Sequence, residues 1–435
     1  MVMNSEKTRI ISKLLETRDL CKGRIKPDEF CEAVALFLAL GTKHPGIITE
    51  VLKDEEKFCA PYEGFLYESL AEIQKKEPDL PWDPSGLSRL SNLVARAIAE
   101  FTLYHLNELP ITAQAVRQYY AERYHRPSRS YVRQASFFQY LLGDLSGKSF
   151  IDSHCGLAFK SQRLKPKHGV FVEDDSKIGV LSHRFHIAEK RDAAFIRQDY
   201  LLGACGDVEH AINPLAHEPE LYDTALVEPP AALPLSEQQR ISYQQHFPFV
   251  LKPEGELPST ATLSLWLQQT FRQLKKQGKA YVIVPDGWLS RGGYDGQIRD
   301  YFLSNGHVES VIALDSILDW TSLLVIRKSA KEDEPVRFMK QSSALMNALA
   351  EPNPSENSFY TSTEQDCVAV DIKELQRGDA NGRYSDLSPQ RFLEANKPEN
   401  HRDTLAIEQR KLAKAEAKAK AAQSTLEALM DKYGR

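Results

Sequence analysis

The sequence predicts an α/β fold: a helical N-terminal domain, a mainly parallel sheet with helices on both faces, and a C-terminal helical tail. Three observations predict it. From about residue 147, short apolar runs alternate with helical stretches, the pattern of a parallel sheet built from strand–helix units. Upstream, Leu87, Leu90, Leu93, Val94, Ala97 and Ile98 recur at three- and four-residue spacing, and Val34, Leu36, Phe37, Leu38 and Leu40 form a compact apolar patch. That is the spacing of helix faces. Finally, the stretch from Arg402 to Tyr433 is made largely of Ala, Lys, Glu, Leu and Gln, with no proline, a composition of high helix propensity.

The bulk properties set bounds. A chain of 435 residues corresponds to two or three domains at roughly 150 residues each. Hydrophobic residues are 42% and charged residues 26%, an ordinary globular balance that excludes wholesale disorder. A net charge of -5 excludes a strongly basic coat, so any DNA contact is local or made through a partner. The cysteines Cys21, Cys31, Cys59, Cys155, Cys205 and Cys367 form no C-x-x-C pair. This predicts a reducing cytoplasm and no zinc site. No signal peptide is expected. The longest apolar stretch, Ala33 to Leu40, is about half a membrane span.

Taken in order, residues 1–114 read as the helical domain, cut into pieces by Pro45, Pro61, Pro78, Pro81 and Pro84. Residues 115–335 read as the sheet domain. Its strand candidates are Ser149–Ile151, Val170–Val172, a third ending near Asp199, Thr224–Val227, Tyr281–Val284, Val308–Leu314 and Leu323–Ile326. Helices are expected over Leu263–Gln277 and Tyr294–Ser304. Residues 336–400 read as an irregular extension, with polar loops over 330–360, and 401–435 as a single helix. Counting sevens along it gives Leu405, Leu412, Ala419 and Leu426, with Glu408, Ala415, Ala422 and Leu429 as partners. All but Glu408 are apolar, so the helix carries an alanine-rich coiled-coil seam. It reads either as a partner-docking element or as a helix packed on its own domain.

The candidate site follows from where α/β sheets bind ligands, at the carboxyl ends of their strands. Asp152 ends the first run, and Ser153-His154-Cys155-Gly156 turns away from it. Gly156 would let a backbone approach a ligand, and it reads equally as an ordinary turn. His154 beside Cys155 lacks a second pair at ligand spacing, so no metal is expected. Glu173 ends the second run, where α/β proteins hold a ribose diol. Asp199 sits at the end of the third run. Both acids also read as solvated loop residues.

The order of these segments resembles the modification (M) subunit of type I restriction-modification systems, the adenine-specific DNA methyltransferases that use S-adenosylmethionine (SAM). The most specific stretch is Val284-Pro285-Asp286-Gly287-Trp288-Leu289-Ser290-Arg291-Gly292-Gly293, running into Ile298-Arg299-Asp300-Tyr301-Phe302-Leu303. It is similar to the family's V-P-D-G-x-L, glycine loop and I-R-x-x-L. Thr321 to Lys328 resembles the family's late hairpin strand. The resemblance implies a Rossmann-like SAM-dependent methyltransferase domain, DNA as a partner, and a C-terminal helix docking on a specificity-type subunit. It implies that Asp152, Cys155, Gly156, Glu173 and Asp199 belong to the cofactor site. Pro127, in Arg126-Pro127-Ser128, lies where the family has Y-T-P over the cofactor.

The chain departs from the family at two places. In D-P-x-C-G-S/T-G-G, Ser153 replaces proline, Leu157 the small hydroxyl residue, and Ala158 and Phe159 the last two glycines. A Cβ and a phenyl ring there should crowd the cofactor or force another backbone path. The catalytic N-P-P-Y/F reads Glu228-Pro229-Pro230-Ala231. In the family, the Asn oxygen and a backbone carbonyl accept the two protons of adenine's amine, and the aromatic ring stacks on the flipped base. Glu228 is one methylene too long, and Ala231 offers no stacking face. These departures imply that SAM binding is weak or lost. They imply a catalytically impaired or inactive protein acting as a binding or scaffold subunit of a restriction-modification or anti-phage system. The alternative is an active SAM-dependent adenine-specific DNA methyltransferase.

Overall fold

The computed structural model describes residues 2–53, 65–78, 80–82, 90–125, 131–174, 176–201, 221–230, 233–314, 321–331, 334–340, 367–376 and 384–395. The chain divides into two compact units, Met1–Pro389 and Gln390–Arg435. In the second, only residues 390–395 are described, within the short helix Pro389–Ala395. The expected tail helix and its heptad seam lie outside the described residues.

The first unit opens with helices α1 (Val2–Leu20), α2 (Pro27–Lys43), α3 (Pro45–Lys53), α4 (Phe65–Lys76), α5 (Asn92–Tyr104), α6 (Leu109–Tyr120) and α7 (Tyr131–Leu142). One of the prolines expected to break this run, Pro45, instead starts a helix, as Pro27 does: each occupies a first turn, where a missing N–H costs nothing. Ser91 caps α5 by accepting from Val94 N–H. The predicted patch Val34–Leu40 is the buried heart of α2.

The sheet has nine described strands: β1 (Ser149–Asp152), β2 (His168–Glu173), β3 (Ala194–Arg197), β4 (Tyr222–Val227), β5 (Leu274–Pro285), β6 (Val308–Ala313), β7 (Thr321–Arg327), β8 (Val336–Lys340) and β9 (Cys367–Val370). Their order is β3-β2-β1-β4-β5-β7-β6-β8-β9. The first five are mutually parallel, and β7 is antiparallel between β5 and β6. Strand order reverses beside β1, which creates the crevice in which such sheets bind ligands. Further helices are α8 (Lys177–Ala188), α9 (Glu237–His246), α10 (Thr262–Gln273) and α11 (Gly293–Ser304). The helix expected to reach Gln277 stops at Gln273, and Leu274 starts β5. No helix among the described residues is long and apolar enough to cross a membrane.

The polar stretch expected to be loops contributes β8, and β9 lies further along the expected irregular extension. The reason is alternation: Val336 and Phe338 are buried while Arg337 is exposed, the two-residue period of a half-buried strand. The polar average of the region hid it.

The connection from β1 to β2, residues 153–167, contains no helix and is a succession of turns. Parallel strands are usually joined through one. Here Leu157 and Phe159 leave the turn and enter the core shared by α2, α6 and α8. The helical layer thereby takes up the apolar side chains of this connection. At the start of α8, a Cβ on Gly179 would lie 1.9 Å from the Asp174 carbonyl oxygen, so only glycine lets the helix begin this close to the end of β2.

Candidate functional site

A cavity of about 760 Å³ opens at the carboxyl ends of the parallel strands. The turns after β1, β3 and β4 bring Ser153 to Leu157, Gln198 to Leu201 and Glu228 to Pro230 to its wall, with Pro285 at the end of β5. Trp266, projecting from α10, forms an aromatic side of the cavity and stacks on Tyr200 with ring centroids 4.6 Å apart. Tyr200 is itself pinned by its hydroxyl, which donates to Gln273 Oε1 at 2.6 Å.

The turns after β1 and β4 are tied together. Ser153 N–H donates to the Leu226 carbonyl at 3.2 Å. His154 Nδ1 lies 2.6 Å from the Glu228 carbonyl oxygen. Lys160 Nζ donates to Glu228 Oε2 at 2.7 Å, with the two side chains 7% and 19% exposed. Burial works against the Lys160 charge, but Glu228 and Asp152 outweigh it and raise its pKa. The carboxylate at the expected catalytic position therefore carries its own buried counter-ion.

The second acid is tied down as well. Glu173 Oε2 accepts the Gly156 N–H at 2.5 Å, and Oε1 lies 3.3 Å from His154 Nε2. Burial opposes ionisation of Glu173. The His154 ring, the Gly156 N–H and Lys160 prevail and hold its carboxyl below the usual range. In the same way, burial disfavours the His154 cation, yet Glu173 and the Glu228 carbonyl raise its pKa.

The expected site residues are thus only partly brought together. Cys155, Gly156, Asp199, Glu228, Pro229 and Pro230 line the cavity. Asp152 and Glu173 do not: Asp152 is fully buried, accepts from Ser161 Oγ at 2.8 Å, and has its carboxyl pushed up by burial. It is Asp174, next along, that reaches the wall. Asp199 Oδ1 accepts the Leu201 N–H at 2.9 Å and so shapes its own turn. Cys155 is buried, and burial raises its thiol well above the usual range. Pro127 and Ala231 lie outside the described residues.

The turn that lacks two glycines takes another path. Ala158 sits in the left-handed region at φ 54°, as does Gly156. For a residue with a Cβ that costs about 1–2 kcal/mol. Phe159 is 5% exposed, and the Arg117 guanidinium lies 4.6 Å from its ring centroid. Arg117, from α6, also donates to the Leu157 carbonyl at 2.6 Å and pairs with Glu189 at 2.8 Å. The helical layer thereby grips the turn. Reading the sequence alone missed Lys160, Arg117 and Trp266 as site residues, because Lys160 lies just past the first motif and the other two come from segments with no motif.

The V-P-D-G-W-L stretch has a plain mechanical reading. Arg299 is fully buried and donates to the Trp288, Arg291 and Ser385 carbonyls at 2.7, 2.9 and 2.7 Å. Asp286 Oδ1 accepts from Ser322 Oγ at 2.6 Å. The arginine of I-R-x-x-L clamps the loop that follows β5, and Pro285 is presented to the cavity.

This half of the site is where sequence comparison finds a relative. Residues 217–359 match the family model of the N-6 DNA methylases. The match takes in Glu228, Pro229 and Pro230 and the clamped loop, and stops short of Asp152, Gly156 and Glu173. The N-6 DNA methylase family implies SAM as cofactor. No curated protein matches the chain by sequence.

Solved structures match over nearly the whole chain. The type I restriction-modification methyltransferase subunit from Streptococcus thermophilus is 13% identical with a TM-score of 0.54, covering 89% of this chain and 99% of that one. A modification subunit assigned to a type I restriction enzyme from Vibrio vulnificus YJ016 is 12% identical with a TM-score of 0.56, covering 90% and 99%. A chain from a study of assembly and conformational transition in a type I system is 14% identical with a TM-score of 0.55, covering 100% and 99%. The chain has their Rossmann-like methyltransferase fold. It resembles the modification subunits of type I restriction-modification systems.

Proposed function

We propose that this protein is a methyltransferase-like binding or scaffold subunit of a restriction-modification or other anti-phage system, with methyl transfer lost or nearly so. The observation that carries the reading is the closure of Glu228 on Lys160. Adenine's amine needs two open acceptors at that place, together with a surface on which the flipped base can rest. Offering the Glu228 carboxylate to a base would strip a 7% exposed ammonium of its partner. Breaking such a pair costs about 3–5 kcal/mol, and the Glu228 carbonyl already faces His154.

The cofactor side supports the same reading. Glu173, which would accept from a ribose diol, is 4% exposed, with the Gly156 N–H on one oxygen and His154 Nε2 3.3 Å from the other. The turn after β1 leads into no helix, so this connection offers no helix N-terminus to the cavity. In this arrangement the residues do not fit SAM, and weak or absent binding follows. DNA then binds directly or through a specificity-type partner, with the tail at 401–435 as the docking element.

Two measurements test the proposal: calorimetric titration of SAM, and tritiated methyl transfer to unmethylated DNA. Millimolar or no SAM binding and no transfer are expected. A micromolar dissociation constant, with incorporation that Glu228→Ala abolishes, would establish the alternative, an active adenine-specific enzyme.

A further inference from the structure

His154 is placed between two groups that can only accept. Its Nδ1 lies 2.6 Å from the Glu228 carbonyl oxygen, and its Nε2 lies 3.3 Å from Glu173 Oε1. A neutral imidazole carries one N–H, and the imidazolium carries two. Only the imidazolium satisfies both contacts while Glu173 is ionised. The ring also meets Trp266 edge-on at 5.6 Å between centroids, so α10 holds it from the remaining side.

We infer that His154 is a proton-dependent latch across the cleft: with both ring nitrogens protonated it joins the turn after β1 to the ends of β2 and β4 and covers the Glu173 carboxylate. The inference rests on reading this cavity as a former cofactor cleft. When the ring loses a proton, the Nδ1–H stays on the carbonyl. The Nε2 lone pair then faces the Glu173 carboxylate, which repels it. The ring swings away and uncovers an acid suited to the vicinal hydroxyls of a nucleoside.

The charged groups facing His154 set the direction of the switch. Burial opposes the cation, Glu173 from β2 and the Glu228 carbonyl after β4 favour it, and Asp152 from β1, its own carboxyl pushed up by burial, couples to the ring. Lys160, from the turn segment, opposes the cation and is itself paired to Glu228. Trp266 adds no charge. The balance lifts the ring's proton affinity above that of an ordinary histidine, so the latch stays shut to a higher pH than an ordinary histidine would allow and opens as the pH rises.

The test follows the ring directly, in full-length protein labelled with ¹⁵N at histidine and glycine. The His154→Gln variant assigns the His154 signals. At pH 6 both ring nitrogens should show the protonated shift. On raising the pH, Nε2 alone should lose it, and the Gly156 amide, which shares Glu173, should shift with the same midpoint. A singly protonated ring at pH 6, or a ring titration that leaves Gly156 unmoved, overturns the latch. A second measurement uses S-adenosylhomocysteine as the diol-bearing probe. His154→Ala should bind it at least about tenfold more tightly than wild type at pH 6, a gain of about 1.4 kcal/mol. Equal affinity in a variant with an unchanged melting curve also overturns it. Neither readout involves methyl transfer, so an active wild type would defeat the functional reading and leave the latch standing.

Discussion

Lys160 Nζ and Glu228 Oε2 stand 2.7 Å apart and join the segment after β1 to the turn after β4. The two residues are 68 positions apart in the chain. Their contact places a fixed positive charge against the side chain that would have to meet a substrate amine. It also makes the two halves of the cleft mechanically dependent on one another.

Removing one partner should therefore be worse than removing both. Lys160→Met leaves a carboxylate largely out of water, and a loss of about 3–5 kcal/mol is expected. The double variant Lys160→Met/Glu228→Gln should recover most of it. Urea unfolding of the wild type, both single variants and the double variant gives the coupling directly. Additive losses would mean that the pair is not an interacting unit.

Restoring the two missing glycines should have opposite effects at neighbouring positions. Ala158→Gly relieves a left-handed alanine and should stabilise by about 1 kcal/mol. Phe159→Gly removes a ring buried beneath Arg117 and should cost at least the roughly 3–5 kcal/mol of a buried Phe→Ala change. A variant combining Glu228→Asn, Ala231→Tyr, Ala158→Gly and Phe159→Gly will be limited first by folding. Thermal melts of the single variants check the signs. A neutral Phe159→Gly would show that the ring is not part of the core.

Acid should unfold the protein from one corner of the sheet. His183 and His186 on α8 pack around Phe195 of β3. Burial pulls their pKa values down to about 3 and about 4. Both are neutral in the folded state and take up protons near pH 6.5 when unfolded, so stability falls as the pH drops below 6.5. At pH 5 each histidine contributes a loss of about 2 kcal/mol. His183→Phe should flatten the slope of unfolding free energy between pH 6.5 and 4. An unchanged slope would place the acid sensitivity elsewhere.

Deleting residues 402–435 should leave a folded core, because the nine described strands and the helical layer lie within Met1–Pro389. The truncated protein should no longer pull down its partner. Unchanged pull-down would defeat the docking role, and a core that melts early would mean the helix packs in cis. An alanine-rich seam buries little surface, so the isolated tail peptide should show little helix by circular dichroism.

Much of the fold was legible in the sequence, and for a physical reason. Buried parallel strands need unbroken apolar runs and helices need a three-to-four period, so β1, β2, β4, β5, β6 and β7 announce themselves locally, as does α2. Proximity of an acid to a strand end is also local, which is why Asp199 and Glu228 were found at the cavity. The sequence could not show which acid remains available. Glu173 and Asp152 are as prominent in the sequence as Asp199, yet the fold buries both and turns their oxygens toward Gly156, His154 and Ser161. The same turns are held by Lys160 reaching back to Glu228, and by Arg117 of α6 gripping the Leu157 carbonyl 40 positions away. Partners chosen across such distances leave no periodic trace, because a single long side chain supplies each of them. The tertiary structure alone decided that the turn after β1 joins the helical layer through Leu157 and Phe159 rather than leading into a helix of its own.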